Sequence, residues 1–176
     1  MEFKNRLNEE AELVDGRIVW LSRASAIVAV ILIKVKDETY VLTEKRSEIM
    51  DEPNKWAVPS GYLDWDENGL EGIIREVYEE TSFFIPDYED SVVHSSDQPF
   101  YVHSDPWSDA KQNVSLSYLF MYKMDRIPRE VEQFKDKEIA EVKWVNVEDI
   151  FSIGDWAFDH DRRIQMALNN YGYILV

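Results

Sequence analysis

The apolar run AIVAVILI, from Ala26 to Ile33, is the feature of this sequence that most constrains its fold. Consecutive apolar residues rich in Ile and Val are typical of a β-strand buried on both faces, because a half-exposed strand would alternate with polar residues. The run is far shorter than the roughly 20 apolar residues that a membrane-spanning helix needs. We therefore predict a buried strand over Ala26–Val35, in a soluble protein.

Other segments with strand character follow along the chain. Residues 39–46 (TYVLTEKR) predict a second strand, with a hairpin turn at Asp37 and Glu38. Two more core strands are indicated at residues 116–124 (LSYLFMYKM) and 142–147 (VKWVNV). The remaining segments are expected to form a short helix or edge extension (residues 1–20), a short extended stretch (56–61), strands (88–94 and 98–103), a loop (127–137) and a terminal helix (158–171).

The apolar period changes to that of a helix after residue 68. Asn68 is a favourable N-cap and Glu71 completes a capping-box pair, so the helix is predicted to begin at Gly69. One face of the helix carries apolar residues at the spacing i, i+3, i+4 and i+7, namely Leu70, Ile73, Ile74 and Val77. The sequence thus predicts a mixed α/β fold, organised as one domain over residues 1–176.

The composition limits the chemistry and the partners. Acidic residues outnumber basic ones by 35 to 19, and the net charge of −16 repels nucleic-acid backbones and anionic membranes. A phosphorylated small molecule would also be repelled unless metal ions or a local basic pocket intervene. The chain has no cysteine, which excludes disulfides, thiolate metal sites and cysteine nucleophiles. We expect neither duplex nucleic acid nor a membrane as partner, and a reducing cytoplasm as the compartment.

Three glutamates lie close together in the stretch REVYEETSF, residues 75–83. At 100° per residue, Glu76, Glu79 and Glu80 share one helix face beside the apolar face. Such acids repel one another by roughly a few tenths of a kcal/mol and oppose the helix dipole. On the helix alone, a solvated acidic face is the commoner explanation. If the cluster binds a metal, a set of carboxylate oxygens suits Mg²⁺ or Mn²⁺.

A calcium-binding loop is a competing interpretation of the same region. The stretch DWDENG, residues 64–69, matches the first six positions of an EF-hand loop. That loop needs a bidentate glutamate at its twelfth position, where this chain has Arg75, and the preceding WAVPSGYL cannot form the entering helix. The EF-hand interpretation is therefore rejected.

The wider stretch GYLDWDENGLEGIIREVYEETSF, residues 61–83, resembles the Nudix box, G-x5-E-x7-R-E-U-x-E-E-x-G-U, in which U is a bulky apolar residue. The flanks NKWAVPSG (54–61) and EIAEVKWV (138–145) are also similar to the lead-in and late strand of this family. The resemblance implies a Nudix fold, a mixed β-sheet sandwiched between α-helices. Eight of the nine defined positions are in register: Gly61, Glu67, Arg75, Glu76, Val77, Glu79, Glu80 and Phe83.

The resemblance implies a role for each charged residue of the box. Glu76, Glu79 and Glu80 would ligate Mg²⁺, with Mn²⁺ as a substitute, and would be catalytic in cleaving a phosphate bond. Arg75 would hold Glu67 by a salt bridge, which fixes the loop against the helix.

The two glycine positions of the box differ in this chain. Gly61 is present and would provide a backbone turn that other residues cannot. Ser82 stands where the second glycine is expected, at the end of the helix. Glycine would relieve a positive φ there, so serine predicts a slightly different exit from the helix.

Residues outside the box are candidates for further roles. The family often adds a late carboxylate as ligand or base, for which Glu138 is the first choice and Glu141 the second. Arg46 and Lys55 are the basic residues best placed to bind phosphates, although solvated charges are the plainer alternative.

Three aromatic residues could also contact a substrate. His160 could position it, but a histidine at the start of a helix is more often structural. Trp56 and Trp107 offer flat surfaces that could stack on a base. Core packing is the alternative for both and is favoured for Trp56.

The function implied by the resemblance is Mg²⁺-dependent hydrolysis of a pyrophosphate bond in a nucleoside diphosphate linked to another moiety. ADP-ribose or a nucleotide sugar is favoured, because Pro99 lies where enzymes of the ADP-ribose type tend to carry a proline. Dinucleoside polyphosphates, NADH, oxidised nucleoside triphosphates and 5′-capped RNA remain open as substrates, while isomerisation of isopentenyl diphosphate is disfavoured because that chemistry uses a cysteine. The alternative function is a sensor or regulator that binds a nucleotide without hydrolysis. A homodimer is also left open.

Overall fold

The computed structural model describes residues 9–21, 24–64, 66–105, 113–135 and 137–175. The strands are β1 (Glu9–Glu12), β2 (Ile18–Leu21), β3 (Ala24–Val35), β4 (Glu38–Arg46), β5 (Trp56–Ala57), β6 (Ser60–Tyr62), β7 (Val92–Ser95), β8 (Tyr101–His103), β9 (Asn113–Met124) and β10 (Ile139–Asn146). The helices are α1 (Gly69–Thr81) and α2 (His160–Tyr171), and 3₁₀ segments span Ile85–Ser91, Arg129–Gln133 and Gly172–Leu175.

Most of the strands form one mixed sheet of eight. Five of them follow the order β10-β4-β3-β9-β7, while β5, β6 and β8 pair with β4, β3 and β9, respectively. Strands β1 and β2 form a separate antiparallel pair. The N-terminal residues that the structure describes are therefore an extended hairpin rather than a helix.

The apolar run forms the centre of the large sheet. Strand β3 is parallel to β9, from the pair Ala24 and Asn113 to the pair Val35 and Met124, and it is antiparallel to β4. Residues 27–33 are at most 2% exposed. The prediction of a strand buried on both faces is confirmed.

One helix packs on each face of the sheet. Residues 27, 29, 31, 33 and 35 of β3 share a core with Ile73 and Val77 of α1, whereas residues 28, 30 and 32 share a core with Ile164 and Ala167 of α2. Successive strand residues point to opposite faces, so one strand supplies both cores. The predicted fold class, a mixed sheet between helices, is confirmed.

Some element boundaries differ from the predictions. The turn between β3 and β4 consists of Lys36 and Asp37, because Glu38 already pairs with Val35. The strand predicted over residues 88–94 begins only at Val92. Before it lies the 3₁₀ segment that begins at Ile85, with Pro86 in its first turn, since proline fixes a helical φ and lacks the donor that a strand needs.

The start of α1 follows the predicted capping box. The side chain of Asn68 accepts hydrogen bonds from the N–H groups of Leu70 and Glu71, at 3.0 and 3.1 Å. In return, Glu71 Oε2 accepts from the N–H of Asn68 at 2.8 Å. These bonds satisfy backbone donors that have no partner within the helix, and they fix the first helical residue at Gly69.

The end of α1 contradicts one expectation. Ser82 adopts the left-handed conformation, with φ 60° and ψ 11°, and its N–H donates to the carbonyl of Tyr78 at 2.8 Å. The helix thus ends with the geometry that glycine favours, rather than by a different exit. A side chain in this conformation is strained, because its Cβ crowds the backbone.

Replacing Ser82 by glycine is expected to raise the free energy of unfolding by about 1 kcal/mol, since it removes this strain. Urea denaturation of the two proteins measures the effect. Ser82→Ala is the matched control: it keeps a Cβ at the same φ and should give little or no gain. An equal gain for both variants would contradict the explanation.

No helix in the described ranges is both long enough and apolar enough to cross a membrane.

Candidate functional site

A groove of about 1040 Å³ lies beside the glutamate face of α1. Its lining comes from α1, β6, β8, the first residues of β3 and β9, the end of β4 and the start of α2. A groove of this size accommodates a ligand of several hundred daltons. Of the eight matched positions of the box, Gly61, Glu76 and Glu80 line it.

Glu76 lies against the backbone of Gly61. A Cβ at residue 61 would come within 2.0 Å of Glu76 Oε1, so only glycine leaves room for this carboxylate. Gly61 lies within β6 and its φ is not positive, which corrects the expectation that it provides a turn. The Glu76 side chain is 13% exposed, and burial raises its pKa although Arg75 donates a hydrogen bond to it.

Glu80 is the most buried acid of the box. It is 8% exposed, and its Oε2 accepts a hydrogen bond from the N–H of Ser60 at 2.8 Å. Its side chain also contacts the carboxyl group of Glu44, which lies on β4 and is fully buried. Burial, followed by the negative charges of Glu44 and Glu76, raises the pKa of Glu80 well above its usual value.

Arg75 connects the loop before α1 with the helix. Its Nε and Nη2 donate to the two carboxylate oxygens of Glu67, at 2.9 and 2.6 Å, a bidentate pair. The hydrogen bonds from Arg75 lower the pKa of Glu67. Nη1 of Arg75 donates to Glu76 Oε1 and to Glu79 Oε2, at 2.8 and 3.0 Å. Glu79 is 57% exposed, and it is not among the residues that line the groove, although its carboxylate shares Nη1 of Arg75 with that of Glu76.

The donor set suits a hard divalent cation. Within the described ranges, no three acidic or histidine side chains converge closely enough to enclose an ion. Mg²⁺ needs less than that, since it is commonly bound by one or two carboxylates together with water and substrate phosphates. Glu76 and Glu80 provide two carboxylates beside the same groove, and a cation would offset the negative charges that, after burial, raise the pKa of Glu80.

The two predicted phosphate-binding residues both line the groove. Arg46 is 6% exposed, and its Nε donates to the carbonyl of Asp51 at 2.7 Å. Lys55 forms a salt bridge with Glu52, which also lines the groove. The basic side chains of Arg46 and Lys55 therefore line the same groove as the carboxylates of Glu76 and Glu80.

Of the two late acids, Glu138 is exposed and lines the groove. Glu141 lies on β10 in register with Lys45 and is half-buried. Glu138, the first choice from the sequence, therefore shares the groove lining with Glu76 and Glu80, and its role stays a prediction.

His160 and Trp56 both have structural contacts. His160 is 2% exposed, its Nδ1 accepts from the N–H of Val58 at 3.2 Å, and burial lowers its pKa well below the usual value. Trp56 is buried, and its indole N–H donates to the carbonyl of Ile153 at 3.1 Å. These contacts favour packing over substrate positioning. Trp107 lies outside the described residues.

Sequence reasoning missed two buried charged residues near this site, Arg163 and Glu44. Arg163 lines the groove from α2, and its Nη1 donates to the hydroxyls of Ser115 and Ser117 at 2.9 and 3.0 Å. The sequence did contain a signal for Arg163: it follows His160 by three residues, a spacing that places both side chains on one face of a helix. For Glu44 the signal was alternation, since it shares a face of β4 with the buried Leu42.

Comparison with known proteins places this arrangement in a family. The family model described as the NUDIX domain matches residues 23–166. Human m7GpppN-mRNA hydrolase NUDT17 is 28% identical over 78 residues, which are 44% of this chain and 24% of the relative. The chain therefore matches only about a quarter of the length of that relative.

Two solved structures share the fold. The NUDIX domain of Shewanella oneidensis NrtR, complexed with ADP ribose, has a TM-score of 0.63 at 19% identity, covering 85% of this chain and 89% of that one. A bifunctional NMN adenylyltransferase/ADP ribose pyrophosphatase from Francisella tularensis, complexed with AMP and a Mn ion, has a TM-score of 0.60 at 22% identity, covering 85% and 42%.

Proposed function

The chain belongs to the Nudix family, as its box indicated, and on that premise we propose that it is a hydrolase that depends on a divalent cation. It cleaves a pyrophosphate bond in a nucleoside diphosphate linked to another moiety. The observation that carries the proposal is the shared groove: the carboxylates of Glu76 and Glu80 and the guanidinium groups of Arg46 and Arg163 line one space of about 1040 Å³.

Each group in the groove has a part in this reaction. Glu76 and Glu80 would hold Mg²⁺ or Mn²⁺, with Glu79 as a further predicted ligand, and the bound ion supplies neutralising charge to the phosphate oxygens. Glu138 accepts a proton from the attacking water, with Glu141 as second choice, while the water oxygen bonds to phosphorus and the bond to the bridging oxygen breaks. Arg46 and Lys55 bind the negative phosphates.

An acidic protein needs added positive charge to bind a polyphosphate. The net charge of −16 repels an anion at long range, and the groove itself is lined by six acidic side chains and four basic ones, Arg46, Lys55, Arg162 and Arg163. Bound divalent cations together with the four basic side chains would offset these acids and favour a compact phosphorylated molecule over duplex nucleic acid. The lack of cysteine supports a reducing cytoplasm as the compartment.

ADP-ribose or a nucleotide sugar is the proposed substrate class, and a hydrolysis panel tests it. The protein is incubated with Mg²⁺ and ADP-ribose, a nucleotide sugar, a dinucleoside polyphosphate, NADH, an oxidised nucleoside triphosphate or 5′-capped RNA, and kcat/KM is measured for each. We expect the highest kcat/KM for ADP-ribose or the nucleotide sugar. A higher value for another member would replace the proposed class.

Removing the divalent cation with EDTA is expected to lower the rate by at least about 100-fold, the scale on which lost charge stabilisation acts. Adding back Mg²⁺ or Mn²⁺ should restore the rate. Turnover that is insensitive to EDTA would contradict the metal dependence. Tight binding of a panel member without turnover would instead support the alternative, a nucleotide sensor.

A further inference from the structure

The segment that leads into α2 brings an aromatic ring to the groove. Phe158 lines the groove and is 42% exposed, whereas the neighbouring Ala157 and His160 are buried. A phenylalanine ring on the wall of a polar groove is costly to leave in water. It also offers a flat apolar surface that a planar ligand can cover.

The backbone holds this ring in a strained position. Phe158 and Asp159 are consecutive non-glycine residues with φ 54°. Such a conformation is unfavourable for a residue with a side chain and persists only where the surroundings impose it. Here the segment is anchored to β5, because the N–H of Trp56 donates to the carbonyl of Asp155 and the N–H of Ala157 donates to the carbonyl of Trp56, both at 2.8 Å.

A cation–π contact with an arginine side chain also restrains the Phe158 ring. The guanidinium of Arg46 lies over the Phe158 ring, 5.0 Å from its centre. Arg46 is in turn held by its hydrogen bond to the carbonyl of Asp51. The ring is therefore preorganised, so little conformational entropy would be lost when a ligand stacks on it.

We propose that Phe158, in the segment before α2, stacks on the base of the nucleotide with the ring face that Arg46 does not cover, while the phosphates bind near Glu76 and Glu80. This assignment rests on the proposed function, since it names the group that selects a nucleotide among phosphorylated molecules. The competing explanation is that Phe158 only shields Arg46, in which case it would affect phosphate binding and not base binding.

Binding of two probes separates these explanations. AMP carries a base, ribose 5-phosphate lacks it, and neither has a pyrophosphate bond to cleave. In the presence of Mg²⁺, wild-type protein should bind AMP at least about tenfold more tightly, the effect of one stacked base. Phe158→Ala and Phe158→Leu should each weaken AMP binding by about tenfold and change ribose 5-phosphate binding by less than about twofold, while Phe158→Trp should retain AMP binding.

Phe151→Ala is the matched control, because Phe151 is 65% exposed in the same connecting segment and lies outside the groove lining. It should bind both probes as the wild type does. Equal weakening of both probes by Phe158→Ala, unchanged AMP binding, or no preference of the wild type for AMP would each overturn the proposal. Because neither probe is hydrolysed, this outcome is independent of the hydrolysis panel: catalysis with unchanged AMP binding refutes only the stacking role.

Discussion

Replacing Glu80 by glutamine is expected to lower kcat by about 1,000-fold or more while stabilising the ion-free protein. The amide is neutral and binds a hard cation poorly, so the variant would lose the positive charge of the metal ion that stabilises the substrate phosphates. Glutamine has nearly the same size and can still accept the hydrogen bond from the N–H of Ser60. The loss of activity would therefore arise from charge rather than from shape.

The gain in stability follows from the surroundings of Glu80. Its carboxyl is buried against the carboxyl of Glu44, with Glu76 close enough to add negative charge. A neutral amide removes one member of this repelling group and can donate a hydrogen bond to Glu44. We expect the free energy of unfolding to rise by about 1 kcal/mol in EDTA at pH 8, the usual scale for one buried polar contact.

The dependence on pH has a definite sign. The pKa of Glu80 is raised in the folded state above its unfolded value near 4.5. The stability that such an acid contributes is present below the unfolded pKa and is lost as the pH rises through the folded pKa. The glutamine variant has no such loss, so its advantage should be small near pH 5 and larger at pH 8. Urea denaturation at both pH values measures it, and a variant less stable than wild type at pH 8 would contradict the account.

Replacing Gly61 by alanine is expected to lower kcat/KM by about 100-fold with only a small change in stability. The new Cβ would lie 2.0 Å from Glu76 Oε1 and 2.3 Å from its Cδ, so the Glu76 carboxylate must move away. Misplacing a catalytic group by about 1 Å costs on the order of 10²-fold in rate. The clash involves the end of a flexible side chain, so the free energy of unfolding should change by about 1 kcal/mol at most.

Gly172→Ala is the control for Gly61→Ala. A Cβ at residue 172 meets no atom within 4 Å, and its φ of −55° suits any residue. This variant should keep the wild-type kcat/KM and the wild-type Mg²⁺ concentration for half-maximal rate, whereas Gly61→Ala should need more Mg²⁺. Wild-type kinetics for Gly61→Ala would show that Glu76 does not have to lie beside residue 61.

Local features were predictable because their determinants lie within a few residues of one another. Asn68 and Glu71 are three residues apart, and their capping box fixed the first residue of α1. The end of the same helix was harder to predict, because sequence alone does not say whether a serine will accept positive φ. At Ser82 the geometry of the helix end prevailed over the preference of the residue, as Phe83 beyond it is fully buried.

Only the part of the site whose residues are closely spaced along the chain was predictable. Helical periodicity placed Glu76, Glu79 and Glu80 on one face, but Glu79 is 57% exposed and, unlike Glu76 and Glu80, is not among the residues that line the groove. Arg163 and its two serine partners are more than forty residues apart in sequence, so their contact depends on tertiary packing. Such contacts leave no periodic pattern that a sequence could show.

The parallel pairing of β3 with β9 makes the folding of this chain depend on late residues. As the chain is synthesised, the apolar β3 emerges long before β9, the strand that covers one of its edges. The backbone of Ala24 pairs with Asn113 and that of Val35 pairs with Met124. Non-local pairing of this kind slows folding, and an open apolar edge invites pairing with another copy. A chain shortened after the box helix would retain every carboxylate of the motif and still lack the strand that closes its sheet, so aggregation rather than lost chemistry would be its first defect.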